Sequence, residues 1–436
     1  MLSTVGIIAF ILAILFSIAW HELGHFIPAK KFGVKVTQFM IGFGTTLWSR
    51  RKGDTEYGVK AIPLGGYVRM IGMFPPARED SAGSEEEGSQ KKGRLAIMVE
   101  DARNQAAEEV VTEDDERRTF YRLSVPKKLV VMMGGPVMNL ILATVLFAIM
   151  FVGFGLPAQS LRVEQVTPCV PTAQHLDGKC GAGSTPSPAA QAGLRAGDVI
   201  TSFDGRPVSS WSDLTQAIRS TPPGTTISLG VDRDGKPVEL TAALAGVPRQ
   251  AVNGGPDTSG EVTFLGMSPE LVLEPQPISA VPERMWELTT VSVRAMLSIP
   301  QKMVGVAQAA FGGEERDPAG PVGVVGVTRI SGDVAASDDL PTSWKIAQFL
   351  GLVASLNLFL FLFNLIPLLP LDGGHVAGAV WEGARRQLAR LRHRPDPGPV
   401  DVAKALPLAY AIAFLLIGMS VLLMYADVVN PIRLGG

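Results

Sequence analysis

Four long runs without a charged side chain constrain this sequence more than any other feature. The runs cover residues 1–20, 129–161, 346–371 and 405–426. Each contains at least the roughly 18–20 residues that an α-helix needs to cross a bilayer. A soluble fold would have to hide four such helices in one domain, so we predict a polytopic α-helical membrane protein with four transmembrane helices. The first run lacks a basic start and a small-residue cleavage site, which indicates a retained helix rather than a signal peptide.

The basic residues near these runs predict which connections face the cytoplasm, because lysine and arginine concentrate there at the ends of membrane helices. They cluster after the first run, before the second, and between the third and fourth, at Lys30, Lys31, Lys35, Arg117, Arg118, Arg122, Lys127, Lys128, Arg385, Arg386, Arg390, Arg392, Arg394 and Lys404. The region 162–345 has few near its ends, chiefly Arg162 and Lys345. We therefore predict that this region and both termini are extracytoplasmic. The net charge of −2 argues against nucleic acid as a partner.

Two segments between the first and second runs differ in character. Residues 79–118 contain EDSAGSEEEGSQ and EEVVTEDDERR, which is typical of a solvated, partly disordered insertion. A regulatory role is the alternative. Residues 57–73 contain two β-prone stretches on either side of Leu64-Gly65-Gly66, which predicts a β-hairpin with its turn at the glycines. Gly42 and Gly44 indicate irregular backbone before it.

The extracytoplasmic region contains a pattern typical of a small β domain. Residues 187–218 read SPAAQAGLRAGDVITSFDGRPVSSWSDLTQAI, in which AGL, GD, a β-prone stretch and a DG turn precede a helix. This order resembles that of bacterial PDZ domains, and we expect one such domain over 160–248. A PDZ groove binds an extended peptide by strand addition. Cys169 and Cys180 are predicted to form a disulfide, with two independent thiols as the alternative.

The first run ends in HELGH, residues 21–25. Histidines four residues apart on a helix lie on one face, so His21 and His25 can bind the same metal ion. Glu22 can take a proton from an attacking water and deliver it to a leaving amine. Ionisable side chains at the end of a membrane helix are costly and usually functional. The motif predicts a catalytic zinc site, which needs a third protein ligand.

The third ligand should come from another run that ends at the same membrane face. In FNLIPLLPLDGGH, residues 363–375, Asp372 directly follows the uncharged run 346–371. The predicted topology puts this position, like HELGH, at the cytoplasmic end of its helix, so Asp372 is the candidate. Capping of the next helix is an alternative role for Asp372, and His375 is an alternative ligand.

The same segment contains residues suited to hold a peptide. Pro367 and Pro370 break the helix and free backbone groups, which a membrane tolerates only when they are buried in protein or line a cavity. Asn364 can hydrogen-bond a peptide main chain there, or satisfy its own helix. On the second run, GGPVMN, residues 134–139, combines glycines with Asn139. We interpret it as a close helix contact rather than a catalytic element.

In combination these motifs carry a resemblance that covers almost the whole chain. HELGH, GGP-x-x-N, one PDZ-like region and N-x-x-P-x-x-x-LDGGH, in this order, resemble the site-2 proteases, which are intramembrane zinc metalloproteases, and in particular their RseP-like group. The resemblance implies a zinc site, a catalytic base and two substrate-binding residues. These are His21, His25 and Asp372 for Zn²⁺, Glu22 as the base, and Asn364 and Pro367 for the substrate.

The resemblance also implies the reaction and its setting. We expect hydrolysis of peptide bonds within the transmembrane segments of single-pass membrane proteins, such as anti-sigma factors or signal-peptide remnants. The setting is the bacterial inner (plasma) membrane, among its lipids, with the active site near the cytoplasmic face. The hairpin and Gly42-Phe43-Gly44 resemble the family's membrane-associated β element, which pairs with an unwound substrate strand. The single PDZ domain and the long insertion resemble actinobacterial members.

Two other classes of function are considered. A catalytically silent PDZ membrane receptor is the alternative, but it predicts loss of Glu22 or of a ligand, and all four residues are intact. A metal transporter predicts ionisable residues along a path through several helices, whereas the second and fourth runs contain none.

The predicted organisation follows from these features. The segments are a first transmembrane helix at 1–28, the β element at 29–78, the acidic insertion at 79–125, a second transmembrane helix at 126–158, the PDZ domain (all-β or α+β) at 160–248, a linker and interfacial helix at 249–342, a third transmembrane segment at 343–374, a basic loop at 375–403 and a fourth transmembrane helix at 404–427. Within the linker region, residues 283–310 show helical spacing interrupted at Pro300 and fit an interfacial helix or a plain surface helix.

Overall fold

The fold is taken from a computed structural model. It describes residues 2–75, 110, 112–171, 180, 184–248, 261–313, 316–317, 320–338 and 340–431. Most of the predicted acidic insertion therefore lies outside the described residues. The chain forms two compact units: a helical unit, Met1–Gly153 with Pro277–Gly436, and a sheet unit, Phe154–Gln276.

The described helices and strands are numbered here in chain order. The helices are α1 (Leu2–Lys31), α2 (Glu113–Arg117), α3 (Val125–Ala148), α4 (Pro188–Gln191), α5 (Trp211–Ser220), α6 (Val281–Phe311), α7 (Val324–Ala336), α8 (Thr342–Asn364), α9 (Asp372–Leu391) and α10 (Leu406–Val429). The strands are β1 (Val36–Lys52), β2 (Thr55–Met70), β3 (Leu156–Val166), β4 (Val199–Phe203), β5 (Arg206–Pro207), β6 (Thr226–Arg233), β7 (Lys236–Ala243), β8 (Ala245–Pro248), β9 (Glu261–Phe264) and β10 (Met267–Glu274).

Four of the described helices are long and apolar enough to cross a membrane. They are α1, α3 with the π-helical turn Ile149–Phe154 that continues it, α8, and α10 with the short helical turn before it. Large apolar side chains on them are exposed in the isolated chain, for example Leu12 and Phe414. A lipid solvent would cover such side chains, since it provides the apolar surroundings that water does not. The helical unit therefore has the composition of a multi-pass membrane protein.

Small and polar residues fix α1 within the helical unit. Gly24 on α1 lies directly against the backbone of Gly134 on α3, where a side chain on either residue would collide. Close approach at glycines is a common way for membrane helices to associate. On α8, the buried Asn357 donates hydrogen bonds to Ser17 Oγ at 2.9 Å and to the Val353 carbonyl at 2.8 Å. The end of α1 that carries HELGH is thus held between two neighbouring helices.

The β element is a folded ribbon rather than a simple hairpin. Its chain reversal lies at Gly53-Asp54, and residues 36–41 of β1 pair on one side with 56–59 and on the other with 66–70 of β2. The predicted hairpin is wrong in its pairing, because residues 56–59 and 66–70 lie on either side of residues 38–41 of β1 and run in opposite directions, and they do not pair with each other. Gly66 instead marks a close backbone approach: a side chain there would collide with Glu22 Cγ.

The sheet unit contains a six-stranded antiparallel sheet. The strand order is β10-β3-β4-β6-β7, with β5 added to β4. In its core, helix α5 packs through Leu214 onto the sheet side chains Ile200, Ile227, Leu229 and Val231, all almost completely buried. Alternating burial along β6 matches a sheet with one face on the core.

Two predictions for the region 249–342 are wrong in detail. Residues 261–274 form β9 and β10, and β10 pairs with β3, so the sheet unit continues to Gln276. These strands are short and were not distinguishable from a linker by pattern. Pro300 does not interrupt α6, which runs through it. The lost hydrogen bond at a helix-interior proline is a local cost, and buried contacts of Met303 and Val306 lie on the turns that follow.

The two cysteines are paired in the structure. Cys169 and Cys180 form the predicted disulfide, and their Cα atoms are 5.8 Å apart. Cys169 is buried, and its backbone forms an isolated antiparallel bridge with Pro186. This backbone pairing therefore holds Cys169 next to the segment that leads into α4.

An ion pair in the sheet unit gives a pH-dependent prediction. The buried Asp198 accepts from Arg233 Nη2 at 2.7 Å and from the Arg195 backbone N–H at 2.8 Å. The Arg233 guanidinium lowers the pKa of Asp198 below its usual value. The carboxylate should therefore stabilise the fold above the unfolded-state pKa near 4, and this contribution should be lost as the pH falls through the lowered folded-state pKa. Asp198→Asn should cost about 1.5–3 kcal/mol at pH 7.

The measurement is thermal unfolding of the full chain in detergent, followed by circular dichroism between pH 7 and pH 3. The difference between wild type and Asp198→Asn should shrink as the pH decreases below about 4. Asp234→Asn, at an exposed turn residue with φ of 53° that asparagine also adopts, serves as the control. A difference that stays constant across this pH range would contradict the role of the ion pair.

Candidate active site

The HELGH motif lies on the last turns of α1, inside the helical unit. Glu22 and His25 are buried, and His21 is partly buried. The helical spacing brings the two rings together, with Nε2 of His21 and Nε2 of His25 3.2 Å apart. Both nitrogens point toward the same place, as expected for histidines one turn apart.

Asp372 reaches the two histidines because α8 ends early. The helix stops at Asn364, an irregular segment with Pro367 and Pro370 follows, and Asp372 is the first residue of α9. Its Oδ2 atom lies 3.2 Å from His21 Nε2 and 3.3 Å from His25 Nε2. The alternative capping role is not found, because the N-cap of α9 is Leu371 and no side chain caps this helix, whereas Asp372 is its first helical residue and joins the cluster.

The cluster fits a metal ion better than it fits a hydrogen-bonded group. Ligands about 2.0–2.1 Å from a tetrahedral zinc ion are about 3.3 Å from one another, and the three donor atoms here are 3.2–3.3 Å apart. Asp372 Oδ2 is buried without a hydrogen-bond partner among the described residues. Nitrogen and carboxylate donors are typical zinc ligands. In the described part of the chain, His21, His25 and Asp372 form a group of side chains that could hold a metal ion.

Helix α3 contacts the Nδ1 atoms of both histidines. His25 Nδ1 lies 2.8 Å from the Val131 carbonyl oxygen, and His21 Nδ1 lies 3.1 Å from the side-chain amide of Asn139. Gly135 lies against both rings, where a Cβ atom would collide with them. The sequence interpretation of GGPVMN as a close helix contact missed the contact between Asn139 and His21. A buried asparagine in an otherwise apolar run was the signal for it.

Glu22 lies against the β element and outside the group of three donors. Its side chain lies against the backbone of β2 at Gly66, and it is not one of the three clustered donors. The carboxylate is buried next to the two histidines, so it lies close to the donor cluster without belonging to it. This is the position required of a group that moves a proton next to a bound substrate.

The other predicted site residues lie outside the cluster. Asn364 is the partly buried last residue of α8, and Pro367 lines a cavity of about 360 Å³ together with Leu369 and Lys404. His375 does not join the cluster; it lines a separate small cavity with Lys128 and other side chains. The geometry therefore favours Asp372 over His375 as the third donor.

Two histidines on one apolar helix, next to an aspartate that follows the end of a second apolar helix, form the donor set expected of an intramembrane metalloprotease. The chain belongs to peptidase family M50, whose family model matches residues 9–395.

Similar proteins agree with this assignment. The chain is 35% identical over 445 residues to zinc metalloprotease Rip1 of Mycobacterium tuberculosis, with all of both chains covered. It is 29% identical over 397 residues to metalloprotease MmpA of Caulobacter vibrioides, covering 87% of each. A solved PDZ domain from Listeria monocytogenes covers 26% of this chain and 87% of its own, at 19% identity and a TM-score of 0.17, which is too low to establish a shared fold. The resemblance to the site-2 proteases and the dependence on zinc are confirmed, and the chain is a zinc metalloendopeptidase of the intramembrane type.

Proposed function

We propose that His21, His25 and Asp372 bind the zinc ion, and that Glu22 is the general base and then the general acid of peptide hydrolysis. The observation that carries this assignment is the convergence of three donor atoms, 3.2–3.3 Å apart, with the Asp372 Oδ2 atom lacking a hydrogen-bond partner among the described residues. When bound, zinc acts as a Lewis acid that polarises the scissile carbonyl and activates water.

The chain's own residues carry the proton transfer and hold the reacting groups. Glu22 takes a proton from the attacking water and delivers it to the amine nitrogen as the peptide bond breaks. Its burial against β2 keeps the carboxylate close to any peptide bound along that strand. The contacts of α3 orient both imidazole rings, so little reorganisation is needed during the reaction.

The substrate is proposed to be the transmembrane segment of a single-pass membrane protein, for which anti-sigma factors are the candidate class. A helical segment hides its peptide groups, so it must unwind before it can be cleaved. Residues 66–70 of β2 pair with β1 on one side, and their other edge offers the unwound segment a strand partner. Gly66 at this edge lies next to Glu22. Asn364 and Pro367 are proposed to hold the segment from the other side.

The setting is proposed to be the bacterial inner membrane, with both termini extracytoplasmic and the active site near the cytoplasmic face. The distribution of lysine and arginine supports this orientation. HELGH lies near the end of α1, and Asp372 follows the end of α8. These are the first and third candidate membrane helices, so both cross the membrane in the same direction and end at the same face. The sheet unit is proposed to be the single PDZ domain, which restricts access of intact substrates.

The test is cleavage of a single-pass membrane substrate by the purified full chain in detergent, with the zinc content measured in parallel. Asp372→Ala should lose both zinc and cleavage, because the two remaining donors hold zinc less well than three. Asp338→Ala, an exposed aspartate, is the matched control and should keep both. A variant Asp372→Ala that retains stoichiometric zinc would overturn the ligand assignment.

A further inference from the structure

Both candidate histidine ligands present the same ring nitrogen to α3. The Nδ1 atom of His25 lies 2.8 Å from the Val131 carbonyl, which can only accept a hydrogen bond. His25 therefore has its proton on Nδ1, and its Nε2 atom is free to act as a ligand. The Nδ1 atom of His21 contacts a different group, the side-chain amide of Asn139.

The orientation of the Asn139 amide decides the tautomer of His21. As placed, the Nδ2 atom of Asn139 lies 3.1 Å from His21 Nδ1 and its Oδ1 atom is buried without a partner among the described residues. An amide nitrogen that donates to Nδ1 would require the ring proton on Nε2, the atom that faces Asp372 and His25. That proton would occupy the position where the three donors converge.

A half-turn of the Asn139 amide exchanges its oxygen and nitrogen without changing the shape of the side chain. Either orientation leaves one end of the amide without a described partner. The choice between them therefore depends on His21, whose Nε2 atom must be unprotonated to bind a metal ion. With the oxygen toward His21, Asn139 accepts the Nδ1 proton and leaves Nε2 unprotonated. Asn139 is completely buried on α3, so the position of its side chain is set by the helix packing.

We propose that Asn139 is a positioning residue whose carbonyl oxygen accepts the Nδ1 proton of His21 and so presents Nε2 of His21 to the metal. The proposal rests on the proposed function, in which His21 is a zinc ligand. Together with the Val131 carbonyl, Asn139 makes α3 the helix that selects the tautomer of both histidines. Partners of this kind typically contribute a factor of 10–100 in metal affinity.

The test measures zinc affinity directly, by competition of the purified full chain against a chelator, without an activity assay. Asn139→Leu removes the acceptor and should weaken zinc binding by about 10–100-fold. Asn139→Asp keeps an oxygen at the same position but cannot donate, so it should bind zinc at least 10-fold more tightly than Asn139→Leu. If the amide donated instead, it would hold the ring proton on Nε2 and oppose zinc binding, so Asn139→Leu would bind zinc at least as tightly as wild type, and the proposal would be overturned.

A matched pair of variants separates hydrogen bonding from added charge. Asn357 is also buried, and it donates to Ser17 one turn before His21 on α1. Asn357→Asp and Asn357→Leu should differ from each other in zinc affinity by much less than the corresponding Asn139 variants. An equal ratio at both positions would show a charge effect and would overturn the proposal, as would wild-type affinity in Asn139→Leu.

His21→Ala distinguishes failure of this inference from failure of the proposed function. If His21→Ala binds zinc as tightly as wild type, the ligand assignment itself is wrong. If His21→Ala loses zinc while Asn139→Leu keeps it, the ligand assignment stands and only the role of Asn139 is refuted.

Discussion

Replacing Glu22 with glutamine should abolish peptide hydrolysis and leave the zinc content at the wild-type level. Glutamine has the same shape as glutamate but cannot take the proton of the attacking water. General acid–base groups contribute about 10²–10⁴-fold to such reactions, so we expect a loss of at least that size. Zinc should remain because Glu22 lies against β2 and is not among the three clustered donors. The measurement is the cleavage rate of a single-pass membrane substrate by the full chain, with zinc determined on the same samples.

Glu283→Gln is the matched control, because Glu283 is an exposed carboxylate in the first turn of α6. It should cleave at the wild-type rate. Wild-type activity in Glu22→Gln would mean that another group is the base. Loss of zinc along with activity would mean that Glu22 is a ligand or supports one. Only loss of activity with zinc retained agrees with the proposed role.

The parts of the site that follow from local pattern were accessible from the sequence. HELGH predicts, through helical periodicity alone, that His21 and His25 share one helix face, and the structure places their Nε2 atoms 3.2 Å apart, as that periodicity requires. Asp372 was accessible by a different argument, because the alternation of membrane helices brings the end of α8 to the same face as the end of α1. This argument uses no contact information, only the number of crossings between the two motifs.

Features that depend on contacts between distant segments were not accessible. Gly65-Gly66 has the composition of a turn, but the close approach of α1 explains the glycine at Gly66, and a local pattern cannot distinguish the two causes. Strand β10 is recognisable only through its pairing with β3 about a hundred residues earlier in the chain. The contact of Asn139 with His21 likewise depends on the packing of α3 on α1.

A buried ion pair fixes the helix that begins with Asp372. Lys128 Nζ on α3 lies 2.9 and 2.8 Å from the two carboxylate oxygens of Glu382 on α9, and the two side chains are 5% and 3% exposed. Arg386 also contacts Glu382 at 3.0 Å, and the Val400 backbone N–H donates to it at 3.2 Å. Helix α3 also contacts both histidines. This ion pair therefore joins the helix that begins with Asp372 to the helix that orients the two imidazole rings.

Removing Lys128 should destabilise the protein strongly, because the buried Glu382 carboxylate loses its buried counter-ion and keeps only the more exposed Arg386. We expect Lys128→Met to lower the free energy of unfolding by about 3–5 kcal/mol, and the double variant Lys128→Met with Glu382→Met to recover most of that loss. Thermal unfolding of the full chain in detergent ranks the stability of the wild type and the variants. Chelator competition should show weaker zinc binding in Lys128→Met. Lys127→Met, at the exposed neighbouring lysine, is the control and should change stability by less than about 1 kcal/mol. If Lys128→Met behaved like Lys127→Met, the pair would not hold α9 in place, and the position of Asp372 would have to depend on the irregular segment before it alone.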